Sequence, residues 1–566
     1  MKKFTLCIFL CTAFFPSVKG QWTTDTNLNT EVKDSAGTEE SVPLSATTSG
    51  GQTFVSYFAQ YNGSYEMRLQ LLDVQGNRLF GNGGLLVSNQ PQSTALYRYD
   101  MKVDADDNAI IAFQDERTGG NLHVVVYKID IAGNFLWGAN GIQLIDTAST
   151  QGLGPAIGIT NASNVVIGWN ANASSYKWVA FQKISSSGIV QWNDNMRIYD
   201  GSFTHKYSRP TFAAAGTDDF TMLYAEETGN GLPPSVMFAQ RYDGNGNNVW
   251  PNAVQVSAYT IPFFFFPEAI SDNNDGFFVG FNTSNISFPT QGDVYMQHVD
   301  AGGTLWNPTG NLACALPNTQ KFTASVHFDE THNSSWVLIK TTDVNQGMSG
   351  AAIQAFDISG NVLLGVNAIQ LAPIAAAYHD PNDFCITTDG VISFYTTGSY
   401  PSQSLQAVKN DFSGTLQWNG SPVDICTHLS GKDDLTAGLF ANDQVIAVWD
   451  DNRYDYGVYA QNITNDGQAG VLTAINPNHT PGLSSVGLHP NPAHEYSILD
   501  FNTTESQEIV VEISNLIGER LLISPASIAG AGAHSVTINM AEFPAGFYQV
   551  KVSGTGFENV LQLIHY

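Results

Sequence analysis

Acidic side chains that could act in pairs occur at several places along this 566-residue chain. They are Asp115, Glu116, Glu226, Glu227 and Asp450, which we expect to lie in loops. Two carboxyl groups at a suitable separation, one acting as an acid and the other as a base or nucleophile, can hydrolyse a glycosidic bond. That chemistry requires the fold to bring two of these groups into one cleft, with at least one perturbed pKa.

The sequence motifs of other catalytic centres are absent. There is no H-E-x-x-H, no paired C-x-x-C, no G-x-S-x-G and no phosphate-binding glycine loop. Calcium has candidate ligands in Asp104–Asn108 and Asp272–Gly276, which alternate carboxylates and amides. Neither segment completes a calcium-binding loop, and Asp and Asn are common turn formers. We therefore predict turns at both segments, with no metal and no cofactor.

Four short segments combine aromatic and basic side chains, which suits them to binding a ligand. Aromatic faces beside hydrogen-bonding groups fit sugar rings or extended peptides. The candidate ligand-binding residues are Tyr97, Arg98, Tyr99, Lys206, Tyr207, Arg209, Phe263, Phe264, Phe265, Phe266, Tyr378 and His379. The alternative is that each segment packs its aromatic side chains between neighbouring elements of the fold.

An internal repeat positions these segments. A polar turn built on glycine recurs eight times at intervals of 53 to 58 residues. An Asp usually precedes the glycine by three residues, and a Trp follows it in five copies, at Trp137, Trp192, Trp250, Trp306 and Trp418. We interpret the pair as a hairpin device, because Asp accepts backbone N–H bonds and Gly adopts positive φ. The turn glycines are Gly76, Gly133, Gly188, Gly246, Gly303, Gly360, Gly414 and Gly467.

One repeat shows what each unit should be. Short β-branched and aromatic runs predict four strands, at about Met101–Val103, Ala109–Gln114, Leu122–Ile129 and Phe135–Leu144. Four antiparallel strands in a repeat of about 56 residues are typical of a β-propeller blade. The sequence thus predicts an all-β fold with an eight-bladed propeller over residues 21–474. A seven-bladed ring with one aberrant unit is the alternative.

The two ends of the repeat region complement each other. The eighth unit lacks its Trp strand, while Gln21-Trp22 near the N-terminus resembles Gln191-Trp192 and Gln417-Trp418. We predict that residues from about 22 to 32 form the outer strand of the eighth blade. Such closure would remove the free sheet edges that promote aggregation.

Charge and the N-terminus indicate an exported protein. The chain has 23 basic and 51 acidic residues, a formal net charge of -28, which argues against binding nucleic acid or an anionic membrane. Lys2-Lys3 followed by an apolar run predicts a signal peptide at 1–20. No later run is long enough to insert in a membrane. Beyond this segment Cys314, Cys385 and Cys426 should be unpaired, since the last two would lie on the inner and outer strands of one blade.

A second domain follows a linker. Residues 475–485 combine Pro, Asn, Gly and Ser without periodicity. Residues 486–566 then alternate apolar and polar side chains in short runs, which predicts a small Ig-like β-sandwich.

This tail resembles the C-terminal sorting domain of the Bacteroidetes type IX secretion system. Three segments carry the resemblance: LHPNPA from Leu488, SNLIGER from Ser514 and PAGFYQVKV from Pro544. The matching motif residues are Pro490, Asn491, Pro492, Gly518, Gly546 and Tyr548. The resemblance implies recognition by the type IX machinery and passage across both membranes, then removal of the tail or its use in cell-surface attachment.

The propeller units resemble repeats found in other cargo of that system. The best match is Trp449-Asp450-Asp451-Asn452-Arg453 followed by Tyr459-Ala460-Gln461. Since this resemblance implies no chemistry, we predict a secreted or cell-surface protein that binds or adheres to a polysaccharide or a protein without catalysis. The alternatives are an extracellular glycan hydrolase using the loop carboxylates and a structural matrix protein.

Overall fold

The computed structural model describes residues 22–470 and 483–566, apart from short gaps. The gaps are at 36, 62, 93–97, 148, 175, 202–203, 229–233, 285–291, 504–506, 516–519, 524–526, 531, 542 and 555–556. The predicted signal peptide, Tyr97 and Gly518 therefore lie outside the described residues. The chain divides into two compact units, Met1–Leu472 and Thr473–Tyr566.

The described residues form β-strands throughout, with one 3₁₀ turn at Trp418–Gly420. This follows from the sequence, in which β-branched and aromatic runs alternate with Asp, Asn and Gly turns. No helix long and apolar enough to span a membrane occurs in the part of the chain that the structure describes.

The first unit contains eight four-stranded antiparallel sheets. The first strand in chain order, β1 (Thr30–Lys33), belongs to the eighth sheet. Sheet 1 contains β2 (Glu40–Thr47), β3 (Thr53–Tyr61), β4 (Ser64–Leu72) and β5 (Leu85–Ser88). Sheet 2 contains β6 (Asp100–Val103), β7 (Ala109–Asp115), β8 (His123–Ile129) and β9 (Ile142–Leu144). Sheet 3 contains β10 (Gln151–Ile159), β11 (Val165–Ala173), β12 (Tyr176–Ile184) and β13 (Met196–Ile198). Sheet 4 contains β14 (His205–Ala215), β15 (Asp219–Thr228), β16 (Ser235–Tyr242) and β17 (Val254–Gln255).

The remaining four sheets follow the same order. Sheet 5 contains β18 (Ile270–Ser271), β19 (Phe277–Asn282), β20 (Val294–Val299) and β21 (Asn311–Leu312). Sheet 6 contains β22 (Thr319–Asp329), β23 (Ser334–Asp343), β24 (Ser349–Asp357) and β25 (Ile369–Ala375). Sheet 7 contains β26 (His379–Ile386), β27 (Gly390–Thr397), β28 (Gln403–Asp411) and β29 (Val423–Ser430). Sheet 8 contains β30 (Lys432–Ala437), β31 (Gln444–Asp451), β32 (Gly457–Thr464) and β1.

The first strands of the eight sheets lie side by side in a closed cycle. Each contacts the first strand of the next sheet, and β30 of sheet 8 contacts β2 of sheet 1. Hydrogen bonds join neighbouring sheets along this cycle. Asp100 Oδ2 accepts one from the N–H of Ile157 at 2.7 Å, and the hydroxyls of Ser45 and Thr436 lie 2.8 Å apart.

The N-terminal segment completes sheet 8, as the sequence predicts. Strand β1 pairs with β32, with Thr30 opposite Ala460. The pairing covers only residues 30–33, whereas the predicted strand begins near residue 22. Trp22 instead lies against Gly76 in the next sheet, and its indole N–H donates to the carbonyl of Val74 at 3.0 Å.

The repeated glycines allow each Trp to stack on the turn of the following sheet. Gly188 has a φ of +87°, and a Cβ there would lie 2.6 Å from Trp137. The Trp137 indole N–H donates to the carbonyl of Ser186 in the same turn at 3.2 Å. The turn itself is the hairpin device that the sequence predicts, since Asp130 Oδ1 accepts from the N–H groups of Ala132 and Asn134 at 2.9 and 2.8 Å and Gly133 has a φ of +84°. The Trp adds a contact between neighbouring sheets.

The glutamine of the repeated Ala-Gln pair also has a structural role. Gln240 Nε2 donates to the carbonyl of Trp250 at 2.9 Å, which ties the third strand to the segment leading into the fourth. In sheet 8 the acceptor comes from the N-terminus instead, since Gln461 Nε2 donates to the carbonyl of Thr23 at 3.0 Å.

The three cysteines of the described chain are free and buried, as predicted. Cys385 lies on the first strand of sheet 7 and Cys426 on the fourth. Burial raises the pKa of the Cys385 thiol to about 12. These thiols are therefore protonated core side chains.

The second unit consists of two antiparallel sheets around one apolar core. Its strands are β33 (Leu483–His489), β34 (Tyr496–Thr503), β35 (Gln507–Asn515), β36 (Arg520–Ile523), β37 (Ser527–Ala529), β38 (Gly532–Asn539), β39 (Gly546–Gly554) and β40 (Phe557–His565). One sheet has the order β33-β34-β38; the other has β36-β35-β39-β40, with β37 also paired to β35. The fully buried side chains of Leu499, Ile513, Val550 and Leu563 belong to the core.

Candidate functional site

A groove crosses sheets 2 to 4 and the connection that leads into sheet 5. It consists of three adjoining cavities of about 130, 250 and 620 Å³. Arg98, Asn170 and Phe266 line both of the smaller cavities, while Lys177 and Phe263 line both of the larger ones. We call this the linker groove, because the connections between sheets and the loops between second and third strands form much of its wall.

Arg209 builds one wall of the linker groove from within. It has a φ of +58° and precedes Pro210, and its backbone N–H donates to Asn170 Oδ1 at 2.8 Å. Its buried guanidinium donates to the carbonyls of Pro262 and Phe265 at 3.1 and 2.8 Å. Arg209 thus holds the phenylalanine segment in place and is not itself exposed to a ligand.

The four phenylalanines divide into different roles. Phe263 and Phe266 are each 43% exposed and line the groove, whereas Phe264 is 56% exposed and does not line it. Phe265 packs against the core formed by sheets 4 and 5. The guanidinium of Arg98 lies over the Phe266 ring, 5.0 Å from its centroid, and pairs with Glu268 at 2.7 Å.

Glu227 supplies a fixed carboxylate to the widest part of the groove. Its Oε1 accepts from Lys177 Nζ at 2.7 Å, from the Ser208 hydroxyl at 2.9 Å and from Arg209 Nη2 at 3.1 Å. Burial alone would raise the pKa of Glu227, but Lys177, Ser208 and Arg209 outweigh it and hold the pKa below its usual value. Glu227 is therefore ionised, and no described residue is recorded as donating to its Oε2.

Other planar and basic groups lie beside Glu227. Asn172 lines the groove with a buried Oδ1 that has no hydrogen-bond partner among the described residues. Lys206 also lines this section, as does the ring of Tyr176. Asn172, Lys177 and Tyr176 lie outside the aromatic and basic segments predicted from the sequence, although all three flank the loop between the second and third strands of sheet 3.

The structure does not bring the candidate acidic residues together in this groove. Asp115 is fully buried and pairs with Arg117 at 2.6 Å. Glu226 lies next to Glu227 on β15, so the two point to opposite faces of the sheet, and Glu226 Oε1 is 2.6 Å from His205 Nδ1. Glu116 is half-buried, and its N–H donates to the carbonyl of Pro91. Of the five candidate acidic residues, only Glu227 thus lines the groove.

Asp450 has the most perturbed carboxyl in sheet 8. It is 4% exposed and accepts hydrogen bonds from the N–H groups of Asp433 at 3.0 Å and Val42 at 3.4 Å. Burial, with Asp434 and Asp433 nearby, raises its pKa to about 7. Asp450 does not line the groove, and the cavity that Asp433 lines is too small for a water molecule.

The remaining predicted ligand-binding residues lie elsewhere. Tyr99 is only 3% exposed, and its hydroxyl donates to the carbonyl of Val42 at 2.8 Å. The ring of Tyr99 packs in the core between sheets 1 and 2, as in the alternative given for its segment, and is not available to a ligand. Tyr207 packs beside Tyr224 at 6.0 Å between ring centroids, and burial and Glu226 raise its pKa to about 12. Tyr378 lies in the connection between sheets 6 and 7, and His379 begins β26; neither lines the groove.

The two segments considered for calcium use their carboxylates within their own turns. Asp104 Oδ1 accepts from the N–H groups of Asp106 and Asn108 at 3.0 and 2.9 Å, and Asp104 pairs with Lys128 at 2.7 Å. Asp272 likewise accepts from Gly276 N–H at 2.8 Å, and its Oδ2 lies 2.7 Å from His298 Nε2. The geometry is that of a turn stabilised by an Asp side chain.

Several sorting-motif residues join the ends of the second unit. Asn491 Nδ2 donates to the carbonyl of Gln562 at 2.7 Å, and Asn491 Oδ1 accepts from Ile564 N–H at 2.9 Å. The carbonyl of Pro490 accepts from the Ser497 hydroxyl at 3.0 Å. Tyr548 is buried, with its hydroxyl bonded to the carbonyl of Pro544. Pro492 follows Asn491, and Gly546 begins β39.

Comparison with known proteins identifies this tail. Residues 487–564 match the family model described as the secretion system C-terminal sorting domain. The chain therefore carries a type IX secretion sorting domain, and the protein is exported to the cell surface or the extracellular space. No curated protein sequence matches the chain.

Several solved structures are similar in fold. A polysaccharide lyase of the PL25 ulvan lyase family has 11% identity and a TM-score of 0.44, over 78% of this chain and 97% of that one. The polysaccharide lyase Uly1 has 10% identity and a TM-score of 0.40, over 65% and 90%. An α-L-arabinanase from Penicillium chrysogenum has 10% identity and a TM-score of 0.33, over 61% and 98%. All three TM-scores are below 0.5, so these likenesses do not indicate the activity of this chain.

Proposed function

We propose that this protein is an exported eight-bladed β-propeller that binds an extracellular polysaccharide in the linker groove. In this proposal residues 1–20 are the signal peptide, 21–474 the propeller, 475–485 the linker, and 486–566 an Ig-like sandwich recognised by the type IX machinery. The eight sheets and the closed cycle of their first strands support eight blades rather than seven.

The composition of the linker groove carries the proposal. Phe263 and Phe266 offer aromatic faces, which bury the apolar side of a sugar ring. Glu227, Lys177 and Asn172 offer acceptors and donors beside them, which orient the hydroxyl groups. Because three cavities join end to end, the groove suits several units of a chain better than a single small molecule.

The state of Glu227 favours binding over hydrolysis. An acid catalyst must be protonated at the working pH, whereas Glu227 is ionised and held by Lys177 and Arg209. Asp100 and Glu268 line only the smallest cavity of the groove, whereas Glu227 is the single carboxylate among the described residues that line the two larger ones. The two larger cavities therefore have groups that can hold a polysaccharide, while hydrolysis uses a pair of carboxyl groups.

One observation supports the hydrolase alternative. The pKa of Asp450 lies at about 7 because of burial and the neighbouring carboxylates, as a general acid would require. Its site in sheet 8 lies outside the linker groove, so the two functions can be separated by mutation.

The test is retention of the exported chain on arrays of polysaccharides and matrix proteins, with release of reducing ends measured in parallel. We expect retention on polysaccharides without release. Replacing both groove phenylalanines (Phe263→Ala with Phe266→Ala) should weaken binding by roughly tenfold or more, since each lost stacking contact is worth about 1 kcal/mol.

Phe264→Ala is the matched control, because Phe264 belongs to the same segment and is exposed but does not line the groove. It should bind as the native chain does. Equal losses in the two variants would contradict the assignment of the groove. If reducing ends are released and the release disappears in Asp450→Asn, the protein is a hydrolase and the binding proposal is wrong. Retention on proteins alone would indicate a protein ligand.

A further inference from the structure

The linker groove has a charge opposite to that of the whole chain. Five basic residues line its described part, namely Arg98, Lys102, Lys177, Lys206 and Arg209, against the acidic residues Asp100, Glu227 and Glu268. The complete chain has only 23 basic residues against 51 acidic ones. A positive excess in this one groove is therefore a local feature that composition does not explain.

Part of this positive charge is not neutralised by the fold. Glu227 is shared by two cations, Lys177 at 2.7 Å and Arg209 at 3.1 Å, so this group of three keeps one positive charge. Lys206 has no recorded carboxylate partner among the described residues. The neighbouring Glu226 lies against His205, and it is not among the residues that line the groove.

The free charge lies where the groove is widest. Lys177 and Lys206 both line the cavity of about 620 Å³, together with Phe263. The side chain of Lys177 remains 30% exposed although it contacts Glu227. An ammonium group is a compact charge on a flexible stem, which can reach an anionic substituent on a polymer that stacks on Phe263.

We propose that the ligand of the linker groove is an acidic polysaccharide, carrying carboxylate or sulfate groups that Lys206 and Lys177 bind. This inference rests on the proposed function and specifies its substrate class. In an acidic protein, repulsion elsewhere on the surface would oppose binding of a polyanion. The two lysines provide the local attraction that makes such binding selective for this groove.

The experiment compares charged and neutral forms of the same polymers. Polygalacturonate is tested against its carboxyl-reduced form, and a sulfated galactan against its desulfated form, each at low and high salt. We expect at least one charged form to bind tenfold or more tightly than its neutral form, with the difference shrinking at high salt. The pair that shows the difference identifies the anionic group.

Variants then assign the charge to the groove. Lys206→Met should weaken binding of the charged polymer by roughly three- to tenfold and leave binding of the neutral form unchanged. Lys177→Met should weaken binding of both forms, and of the charged form more, because Lys177 also holds Glu227. Lys340→Met is the matched control, since Lys340 is 35% exposed and pairs with Asp380 at 2.7 Å, as Lys177 does with Glu227. All three variants change the net charge equally, so a general electrostatic effect would weaken binding in all of them.

The outcomes separate this inference from the proposed function. Equal affinity for charged and neutral forms would overturn the acidic ligand and leave polysaccharide binding intact. Equal loss in Lys340→Met and the groove variants would overturn the role of Lys206 and Lys177. An absence of binding to any of the four polymers, and to every polysaccharide on the arrays, would overturn both proposals. Thermal unfolding of each variant confirms that folding is unchanged.

Discussion

Asp450 is an acidic side chain buried in sheet 8 beside Asp433 and Asp434. Burial is the larger cause and the two carboxylates the smaller cause of its raised pKa, which lies at about 7 in place of 3.8. Between these two pH values the native state holds a proton that the unfolded chain releases. Stability contributed by the protonated carboxyl is therefore complete below about pH 4 and is lost as the pH rises through 7.

Asp450→Asn removes this dependence. The amide has no charge to bury, but it can accept only one of the two backbone N–H bonds that Asp450 accepts. At pH 8 the free energy of unfolding should therefore rise by about 1 to 3 kcal/mol, given about 1.4 kcal/mol per pKa unit and about 1 kcal/mol for the lost bond. At pH 4 the variant and the native chain should be similar. Urea unfolding at the two pH values measures the difference, and the same change at both would contradict a protonated Asp450.

Whether an individual side chain of the site is buried or exposed was the property least predictable from the sequence. Tyr99 and Arg209 belong to segments that read alike in sequence as aromatic and basic, yet both are buried. Their partners are distant in the chain, as for Arg209 and the carbonyls of Pro262 and Phe265. Local sequence shows that such a segment exists, while its orientation depends on a neighbouring sheet some 50 residues away.

The strands of a repeat were more predictable than its residues. In sheet 2 the expected strands at 109–114 and 122–129 correspond to Ala109–Asp115 and His123–Ile129. The fourth is much shorter than expected, Ile142–Leu144 rather than 135–144. Gly138 and Gly141 have positive φ and interrupt this strand. The indole N–H of Trp137 donates instead to the carbonyl of Ser186 in the next sheet. Hydrophobic pattern alone did not reveal that contact.

The Trp and Gly contact predicts different costs for two glycines of sheet 6. Gly360 and Gly365 both have positive φ, +87° and +80°, but a Cβ at Gly360 would lie 2.3 Å from Asn311 Nδ2 and 2.9 Å from Trp306, and nothing lies within 4 Å of one at Gly365. Gly365→Ala should lower the free energy of unfolding by about 1 kcal/mol, because of the backbone conformation alone.

Gly360→Ala should lower the free energy of unfolding by about 1 to 3 kcal/mol more, because Trp306 and Asn311, which donates to the Gly360 carbonyl at 2.8 Å, must also move. The free energy of unfolding in urea measures both variants. Similar values for the two would mean that the glycine serves only the turn, and that the stacked Trp does not couple neighbouring sheets.

The first unit closes only through its N-terminal segment. Trp22, the carbonyl of Thr23 and β1 together occupy the places that a fourth strand and its Trp take in other sheets. This closure was predictable from the sequence, because Gln21-Trp22 resembles the Gln-Trp pairs of later repeats. The eighth repeat lacks its fourth strand, and the N-terminal segment at the other end of the repeat region can supply it.

Deleting residues 22–33 should leave β32 with an unpaired edge and remove the buried side chains of Trp22 and Val32. We expect the free energy of unfolding to fall by about 3 to 5 kcal/mol, because these buried side chains are lost. We also expect concentration-dependent oligomers, because exposed strand edges pair with other chains. Light scattering after size-exclusion chromatography measures the oligomers. Trp22→Ala, which keeps β1, should be destabilised but monomeric, and a monomeric deletion variant would contradict the role of β1.

The pairing of Thr30 with Ala460 also determines when, relative to synthesis, the ring of sheets can close. The segment synthesised first has its partner in the last repeat, so it stays unsatisfied until the whole ring has been made. Until the last repeat has been made, β1 has no partner strand, and the carbonyl of Thr23 has no Gln461 to accept from. Closure of the first unit therefore follows synthesis of its last repeat.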